Sequence, residues 1–439
     1  MTGRRDWLAG QGTALRGSLR VPGDKSVSHR AVMLGALAEG ITTIDGFLEG
    51  EDTRATARIL EQLGVRIETS SANQRIVHGV GLHGLRGSAA ELDCGNAGTG
   101  MRLLAGLLAG QAFDSTLTGD ASLSRRPMQR VIEPLEALGA RIDAEDGGLP
   151  PLRIWGGRVL QGIDCSPPVA SAQVKSALLL AGLYAQGETI VREPHPTRDY
   201  TERMLAAFGW PIDFAPGFAR LTGGHRLRAT RVEVPSDFSS AAFFLVAATL
   251  VPGSQLRVEA VGMNPRRTGL LHALRLMGAD IREENAREHG GEPVCDLLVQ
   301  HAPLRGIELP LELVPDMIDE FPALFVAAAC ARGTTVISGA AELRVKESDR
   351  IASMAAGLLA LGIDIQQSPD GAIIHGGRFT GGAVDSHGDH RIAMSFAIAA
   401  QLGGGQVRIG DVENVATSFP GFEQLSTGAG MSLQEVPGQ

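Results

Sequence analysis

Two hydrophobic patterns recur along the chain. The first is a run of small apolar residues that follows a polar cluster and ends in a glycine-rich turn. Its six copies are KSVSHRAVMLGALAEG (25–40), NAGTGMRLLAGLLAG (96–110), SAQVKSALLLAGLYAQG (171–187), DFSSAAFFLVAATLVPG (237–253), IDEFPALFVAAACARG (318–333) and DHRIAMSFAIAAQLGGG (389–405). The second is an amphipathic run that a glycine closes before a short strand-like segment, as expected for a helix with a left-handed C-cap. Its five copies are ILEQLGVRIE (59–68), PLEALGARID (134–143), MLAAFGWPID (204–213), ALRLMGADIR (273–282) and LLALGIDIQ (358–366).

The six small-residue helices begin 66 to 81 residues apart, which predicts six repeats of about 70 residues. Alternating helices and strands predict α/β layers. Helices that are apolar on every face are expected to be buried, with sheets around them. Six repeats divide three and three. We therefore expect a first domain over 23–236, a second domain over 1–22 plus 237–425 that holds both termini, and a loose tail over 426–439.

Composition and charge exclude several classes of protein. Apolar residues make up 44% of the chain, which is enough for a large core. A net charge of −9 and only 4% aromatic residues disfavour binding to nucleic acid or to an anionic membrane. The longest apolar runs, such as 241–250, are too short to span a bilayer, and the first twelve residues contain no signal-peptide segment. The four cysteines form no metal-ligand spacing. We expect a cytoplasmic protein.

Basic residues lie at the start of several small-residue helices. They are Lys25, Arg30, Arg102, Lys175, His390 and Arg391. Helix N-termini bind anions through free N–H groups and the helix dipole. For a single helix, a capped end with solvated charges is the simpler interpretation. Six such helices in register favour an electropositive cleft that collects small anionic substrates.

The known short motifs give weaker signals. VPGDKS (21–26) does not fit the P-loop pattern, and HGDHR (387–391) offers two histidines without a third metal ligand. There is no GxSxG motif, and no cysteine stands beside a base, so covalent catalysis is not expected. Ordinary N-capping explains one of the three acids Asp316, Asp319 and Glu320, but not all three. These residue types suit anion binding with proton transfers between lysine and carboxylates.

Six segments, in order, resemble the EPSP synthase family, the 3-phosphoshikimate 1-carboxyvinyltransferases. They are PGDKSVSHR (22–30), GNAGTGMR (95–102), SAQVKSALLLA (171–181), LRVKESDR (343–350), GDHRIAM (388–394) and SFPGF (418–422). The resemblance implies two similar domains, each of three βαβαββ repeats around buried helices, which is an inside-out α/β barrel. It implies transfer of the enolpyruvyl group of phosphoenolpyruvate to the 5-hydroxyl of shikimate 3-phosphate, with release of phosphate. It also implies a monomer without cofactor or metal, and inhibition by glyphosate.

The resemblance assigns roles residue by residue. Asp316 would be the base toward the 5-hydroxyl, Glu347 the proton donor to the methylene carbon, and Lys25 a catalytic contact to both substrates. Lys346 would polarise the shared substrate oxygens. Ala172 stands where the family has a serine, so its contact could only be through the backbone. The shikimate 3-phosphate set is Lys25, Ser26, Arg30, Ser171, Ala172, Gln173, Asp316 and Lys346. The phosphoenolpyruvate set is Lys25, Asn96, Gly98, Arg126, Gln173, Arg350 and Arg391.

Two alternatives stay open at the level of sequence. A sister enolpyruvyl transferase acts on UDP-N-acetylglucosamine, but its members usually carry Lys-Asn where this chain has Lys25-Ser26, and a reactive cysteine in the loop matching 118–127. The second alternative is an inactive metabolite-binding module, which the intact Lys25, Asp316, Glu347 and Arg391 disfavour. One position departs from some family members, since Thr417 replaces a lysine.

Overall fold

A computed structural model of the chain describes residues 4–289 and 291–438. Residues 1–3, at the start of the predicted second domain, and residue 439, at the end of the predicted tail, lie outside the described residues. The α-helices in the described ranges are α1 Lys25–Leu37, α2 Glu51–Gln62, α3 Gly98–Ala109, α4 Gln129–Ala137, α5 Ala172–Gly182, α6 Tyr200–Ala207, α7 Phe238–Leu250, α8 Gly269–Met277, α9 Phe321–Cys330, α10 Arg350–Ala360, α11 His390–Ala399 and α12 Phe422–Ala429.

The strands alternate with these helices along most of the chain. They are β1 Arg5–Gly10, β2 Arg16–Leu19, β3 Ala38–Asp45, β4 Arg66–Ser71, β5 Gln74–Val80, β6 Leu92–Asp93, β7 Ser115–Thr118, β8 Arg141–Glu145, β9 Leu149–Trp155, β10 Asp164–Cys165, β11 Glu188–Arg192, β12 Ile212–Ala215, β13 Phe218–Thr222, β14 Leu227–Arg228, β15 Arg231–Glu233, β16 Gln255–Gly262, β17 Asp280–His289, β18 Glu292–Gln300, β19 Thr334–Ile337, β20 Ile365–Ser368, β21 Gly371–His375, β22 Gly382–Asp385, β23 Val407–Gly410 and β24 Ser432–Pro437.

The described residues form two compact units. The central unit comprises Gly23–Val234 and Glu288–Glu292. The terminal unit comprises the chain up to Pro22, Pro235–Arg287 and the chain from Pro293 onward. The central unit ends at Val234, two residues before the predicted boundary at 236. The prediction also placed residues 288–292 in the second domain, whereas they belong to the central unit. Nothing in the repeat pattern marks that short segment, because it is defined by contacts such as the bond from Arg203 Nη1 to the Gly291 carbonyl (2.7 Å).

The central unit contains three sheets of similar pattern. Their strand orders are β14-β3-β5-β4 with β15 also on β3, β6-β7-β9-β8, and β10-β11-β13-β12. In each sheet a parallel pair continues into antiparallel pairs, as in β6 with β7, then β9, then β8. The threefold recurrence of one pattern agrees with the repeats seen in the sequence.

The terminal unit also contains three sheets, with strand orders β17-β18-β16-β2, β19-β21-β20 and β22-β23-β1-β24. The sheets β17-β18-β16-β2 and β22-β23-β1-β24 each include a parallel pair, β16 with β2 and β22 with β23. The unit therefore repeats the mixed parallel and antiparallel pairing of the central unit.

The small-residue helices are buried as predicted. Every residue of α7 and almost every residue of α3 is buried. Close helix packing explains their small residues, because a Cβ at Gly106 on α3 would lie 2.2 Å from the carbonyl oxygen of Ala177 on α5. In contrast, α2 and α4 bury only one face, as their amphipathic sequences indicate. The fold is the predicted α/β arrangement of sheets around buried helices.

The prediction of a loose tail over 426–439 was wrong for the described residues. Helix α12 continues to Ala429, and β24 pairs with β1 in antiparallel register, with Ala9 opposite Leu433. Ser426 and Leu433 are buried. The partner strand lies at the other end of the chain, so no local pattern in the tail could show this pairing.

Candidate active site

The start of α1 in the central unit carries the first predicted site residues. The Asp24 carboxylate accepts a hydrogen bond from the Val27 N–H (2.8 Å), which caps the helix. Lys25 follows this cap, and its Nζ lies 2.9 Å from Asp52 Oδ2, with the lysine side chain 20% exposed. Ser26 is half-buried at the second helical position. Capping thus fixes where the ammonium and hydroxyl groups stand.

Arg30 lies one turn deeper in α1 and is buried. Its Nη1 donates to the Ser26 carbonyl (2.9 Å), its Nε to Thr201 Oγ1 (2.7 Å) and its Nη2 to Ser176 Oγ (2.7 Å). Burial lowers the pKa of Arg30 to about 10, and the nearby Glu202 carboxylate opposes that shift. The guanidinium remains charged at neutral pH and is held by neutral oxygens, so it can attract an anion.

The loop before α3 places Asn96 and Arg126 together. Arg126 Nη2 donates to Asn96 Oδ1 (2.8 Å) and to Ser122 Oγ (3.1 Å), and Asn96 Nδ2 donates to Asp120 Oδ2 (2.7 Å). Gly98 begins α3 beside this pair. A Cβ at Gly98 would lie 3.3 Å from Arg126 Nη1, so the absence of a side chain keeps the guanidinium accessible from the helix start.

The start of α5 is joined to the start of α3. Gln173 Oε1 accepts from Arg102 Nη1 (3.0 Å), and Gln173 Nε2 donates to Thr99 Oγ1 (2.9 Å). Ser171 caps α5 by accepting from the Val174 N–H (3.4 Å), and Ala172 follows it. Arg102 and Thr99 were absent from the predicted site, although Arg102 had stood out as a basic residue near a helix start. Their signal was the GNAGTGMR segment itself.

In the terminal unit, the three acids before α9 face arginines. Asp316 Oδ2 lies 3.2 Å from Arg266 Nη1, and Asp319 Oδ2 lies 3.3 Å from Arg267 Nη1. Glu320 occupies the cap position of α9 but makes no capping bond through its side chain. Burial raises the pKa of Glu320, and Arg267 opposes that shift. Glu320 Oε1 also lies 3.8 Å from Arg267 Nη1. Ion pairing with arginines, rather than capping, therefore accounts for the three acids.

Arg350, at the start of α10, is the centre of a buried carboxylate cluster. Its Nε donates to Asp389 Oδ2 (2.8 Å), its Nη2 to Glu347 Oε2 (2.7 Å) and its Nη1 to Asp319 Oδ1 (3.5 Å). Burial disfavours the charge, but the carboxylates of Asp389, Glu347 and Asp319 outweigh burial and raise the pKa of Arg350. The cluster brings the predicted proton donor, Glu347, against a permanent positive charge.

Two further predicted residues lie in the same unit. Arg391 follows the Asp389 cap of α11, where the Arg391 N–H donates to Asp389 Oδ1 (2.9 Å), and its Nη1 lies 3.9 Å from Glu320 Oε1. Asp389 therefore connects the starts of α10 and α11. Lys346 Nζ lies 2.9 Å from Glu342 Oε1 and is 21% exposed.

Other motifs add no chemistry to these clusters. In the described ranges, no group of three or more His, Cys, Asp or Glu side chains is arranged to hold a metal ion. Thr417 is buried, and its hydroxyl donates to the Asn414 carbonyl (2.7 Å). None of the described helices has the length and hydropathy needed to cross a bilayer.

The arrangement suits the binding of small anions and the transfer of protons. The central unit presents Lys25 and Arg30 in the first turns of α1 and Arg102 near the start of α3, with Arg126 bonded to Asn96 just before α3. The free N–H groups and dipoles of these two helix starts add to the positive charge. The terminal unit combines arginines with carboxylates that could exchange protons with a substrate. Guanidinium groups are well matched to carboxylate and phosphate oxygens.

Comparisons with known proteins agree with this chemistry. The family model described as EPSP synthase (3-phosphoshikimate 1-carboxyvinyltransferase) matches residues 10–425. The chain is 70% identical over 428 residues to the 3-phosphoshikimate 1-carboxyvinyltransferase of Xanthomonas oryzae pv. oryzae (strain PXO99A), covering 98% of this chain and 97% of the relative. It is also 70% identical over 431 residues to the enzyme of the same name from Xanthomonas campestris pv. campestris (strain B100), covering 98% of each.

A solved structure of EPSP synthase from Acinetobacter baumannii superimposes with a TM-score of 0.90 at 51% identity, covering 98% of this chain and all of that one. The fold, the helix-start clusters and the full-length matches lead to one assignment. The chain belongs to the EPSP synthase family of 3-phosphoshikimate 1-carboxyvinyltransferases.

Proposed function

We propose that the candidate residues of the two units have different roles in the 3-phosphoshikimate 1-carboxyvinyltransferase reaction. Anion binding is concentrated in the central unit, and proton transfer in the terminal unit. The chain is an enolpyruvyl transferase by family membership. One observation carries the division of roles. The Arg30 guanidinium of the central unit is held by neutral oxygens, whereas the Arg350 guanidinium of the terminal unit contacts the carboxylates of Asp389, Glu347 and Asp319.

In the central unit, Lys25, Ser26 and Arg30 with Ser171, Ala172 and Gln173 would bind shikimate 3-phosphate. Support comes from the buried charge of Arg30 and from the capped starts of α1 and α5. Ala172 has no hydroxyl, so only its backbone can take part.

Phosphoenolpyruvate would be bound by Lys25, Asn96, Gly98, Arg126 and Gln173 of this unit. The bonds that join Asn96 to Arg126 support the proposal, because they orient the guanidinium before substrate arrives. Arg350 and Arg391 of the terminal unit would also contact phosphoenolpyruvate, and Lys346 would contact oxygens that both substrates share.

The reaction requires two proton transfers in its first step. Asp316 would take the proton of the 5-hydroxyl while the hydroxyl oxygen forms a bond to C2 of phosphoenolpyruvate. Glu347 would give a proton to C3. In the second step, the Glu347 carboxylate would take a proton back from C3 while the C2–O bond to phosphate breaks, which forms the C2–C3 double bond of the enol ether product. The departing inorganic phosphate would carry away the proton held by Asp316. Arg350 supports this role for Glu347, since its charge can stabilise the carboxylate after the proton has left.

We also propose that the enzyme is a cytoplasmic monomer that needs no cofactor. Cys94, Cys165, Cys295 and Cys330 are free thiols, as expected in a reducing compartment. Light scattering would test the monomer against the chain mass of 46.0 kDa. A mass near twice that value would contradict it.

The test of function is phosphate release from phosphoenolpyruvate with one of two acceptors. We expect release with shikimate 3-phosphate and none with UDP-N-acetylglucosamine. Release only with the second acceptor would overturn the substrate assignment. Release with neither acceptor would favour an inactive binding module.

A further inference from the structure

A directional chain of hydrogen bonds runs behind the predicted shikimate 3-phosphate contacts of the central unit. Arg30 Nε donates to Thr201 Oγ1 (2.7 Å), Thr201 donates to Ser176 Oγ (2.7 Å), and Ser176 donates to the Ala172 carbonyl (2.6 Å). Arg30 Nη2 also donates to Ser176 Oγ (2.7 Å). Each hydroxyl therefore uses its single proton once and accepts from Arg30 as well, which fixes the direction of the chain.

This hydrogen-bond chain joins helices whose candidate substrate contacts come from separate sequence motifs. Arg30 belongs to α1 and bonds back to the Ser26 carbonyl, whereas Ala172 is the first residue of α5. Thr201 comes from α6, an element in which no sequence motif had pointed to the substrate. The three side chains that form the hydrogen-bond chain are all buried, so water does not compete for their bonds; they are Arg30, Thr201 and Ser176.

A buried ion cluster holds α5 and α6 together next to this chain. Lys175 Nζ lies 2.8 Å from Glu202 Oε1 and 2.7 Å from Glu193 Oε2, and all three side chains are at most 3% exposed. Lys175 and Glu202 directly neighbour Ser176 and Thr201 in the sequence. The cluster is thus a second link between the same two helices, parallel to the hydroxyl pair. The ion cluster also explains the presence of Lys175, the one of the three lysines in the sequence that has no proposed substrate role.

We propose that Thr201 and Ser176, held in place by the Lys175–Glu202–Glu193 cluster, are positioning residues for shikimate 3-phosphate binding. They orient the Arg30 guanidinium and connect that orientation to the start of α5. The proposal rests on the function proposed above, in which Arg30 binds the phosphate-bearing substrate. Neither hydroxyl is a catalytic residue, since each acts through Arg30 or the Ala172 backbone.

The positions suit isosteric substitution. Thr201→Val keeps the shape of the side chain but leaves the Arg30 Nε–H without its acceptor, whereas Thr201→Ser keeps the hydroxyl. We expect Thr201→Val to raise the KM for shikimate 3-phosphate about tenfold, with a KM for phosphoenolpyruvate and a kcat within about twofold of wild type. Thr201→Ser should stay within about twofold in all three. Ser176→Ala should reproduce the Thr201→Val effect and serves as a second variant if Thr201→Val does not fold.

A matched control is Thr189→Val in β11 of the same unit. Thr189 is buried, and among the described residues no polar atom bonds its hydroxyl. This substitution should change neither KM. If Thr201→Val and Ser176→Ala lower the thermal midpoint but leave the shikimate 3-phosphate KM at the wild-type value, the residues are only structural and the proposal is overturned. An equal rise in both KM values would also overturn it, because it would indicate general distortion.

Calorimetric binding of shikimate 3-phosphate separates this proposal from the proposed function. Weaker binding to Thr201→Val than to wild type would support positioning even if the wild-type enzyme released no phosphate. Equal binding by the two proteins, in an enzyme that does release phosphate, would leave the function intact and refute the positioning role.

Discussion

At the scale of single residues, charge pairing decides the character of the site. The buried Arg350 contacts the carboxylates of Glu347, Asp319 and Asp389. Charged residues that the sequence would place on a solvated helix start are therefore part of a buried ion cluster in the structure. A buried guanidinium with several carboxylates resists deprotonation and keeps its geometry. We therefore expect the role of each carboxylate to depend on which arginine it contacts.

Glu347→Gln tests the proposed proton donor. The amide keeps the size of the side chain but cannot give up a proton as a carboxyl group can, so we expect kcat to fall at least about 100-fold. The KM values should change much less, because anion binding is assigned to other residues. Steady-state phosphate release measures both. A wild-type kcat would remove Glu347 from the mechanism.

His29→Asn tests a buried titration in α1. Burial lowers the pKa of His29 to about 3, and its Nδ1 lies 2.8 Å from Thr56 Oγ1. In the unfolded chain His29 takes up a proton near pH 6.5, whereas in the folded chain it stays neutral until about pH 3. The contribution of His29 to the free energy of unfolding is therefore fully present above pH 6.5 and is lost as the pH falls toward 3. This group alone should lower the free energy of unfolding by about 2 kcal/mol between pH 7 and pH 5.

The measurement is urea unfolding of wild type and His29→Asn at both pH values. Asparagine can still bond Thr56 but does not titrate, so the variant should lose about 2 kcal/mol less than wild type on acidification. Equal losses in the two proteins would show that His29 does not carry this pH dependence.

At the scale of elements, helix starts position the site. Side-chain caps by Asp24, Ser171 and Asp389 fix Lys25, Gln173 and Arg391 in the first turns of α1, α5 and α11. Helix α3 lacks a side-chain cap and opens with Gly98 instead, which leaves its first N–H groups close to Arg126. A helix start and a proposed substrate contact therefore coincide at these positions.

Gly98→Ala tests this boundary. The added Cβ would lie 3.1 Å from Arg102 Nη1 and 3.3 Å from Arg126 Nη1, which is tighter than ordinary contact, so the guanidinium groups must shift by a few tenths of an ångström. We expect the KM for phosphoenolpyruvate to rise several-fold and inhibition by glyphosate to weaken more. Inhibition curves at fixed phosphoenolpyruvate measure both.

The control is Gly428→Ala in α12, where a Cβ would meet no described atom within 4 Å. It should leave the KM and the inhibition unchanged. Unaltered glyphosate inhibition in Gly98→Ala would contradict the arrangement described for the start of α3.

At the scale of the whole molecule, two cores support two units. One cluster of buried apolar residues lies within 27–234, and the other combines residues 7–21 with residues 238–433. The two clusters share no residue. A unit with its own core can in principle fold alone.

We therefore expect a fragment of residues 23–234 to unfold cooperatively in urea by far-UV circular dichroism. Leu104→Ala in the fragment should lower its free energy of unfolding by about 3 kcal/mol, since Leu104 is fully buried. A fragment with helical signal but a gradual, non-cooperative transition would show that the central core does not suffice.

The sequence by itself determined the helices and strands and the residue types of the proposed site. Repeats of small apolar residues identified the buried helices, and observed starts at Lys25, Gly98 and His390 lie within two residues of the predicted ones. These features are local, because helix periodicity, caps and glycine ends act over a few residues. The candidate substrate contacts also followed from the sequence, since short segments such as PGDKSVSHR carry them.

Only the tertiary structure decided which side chains meet. The pairing of β24 with β1, the bonds from Arg102 to Gln173, and the ion cluster of Lys175 with Glu193 and Glu202 join residues that are 18 to more than 400 positions apart. Such contacts depend on how helices and strands pack, and a buried charge selects its partner by distance and desolvation. No periodicity along the chain encodes that choice.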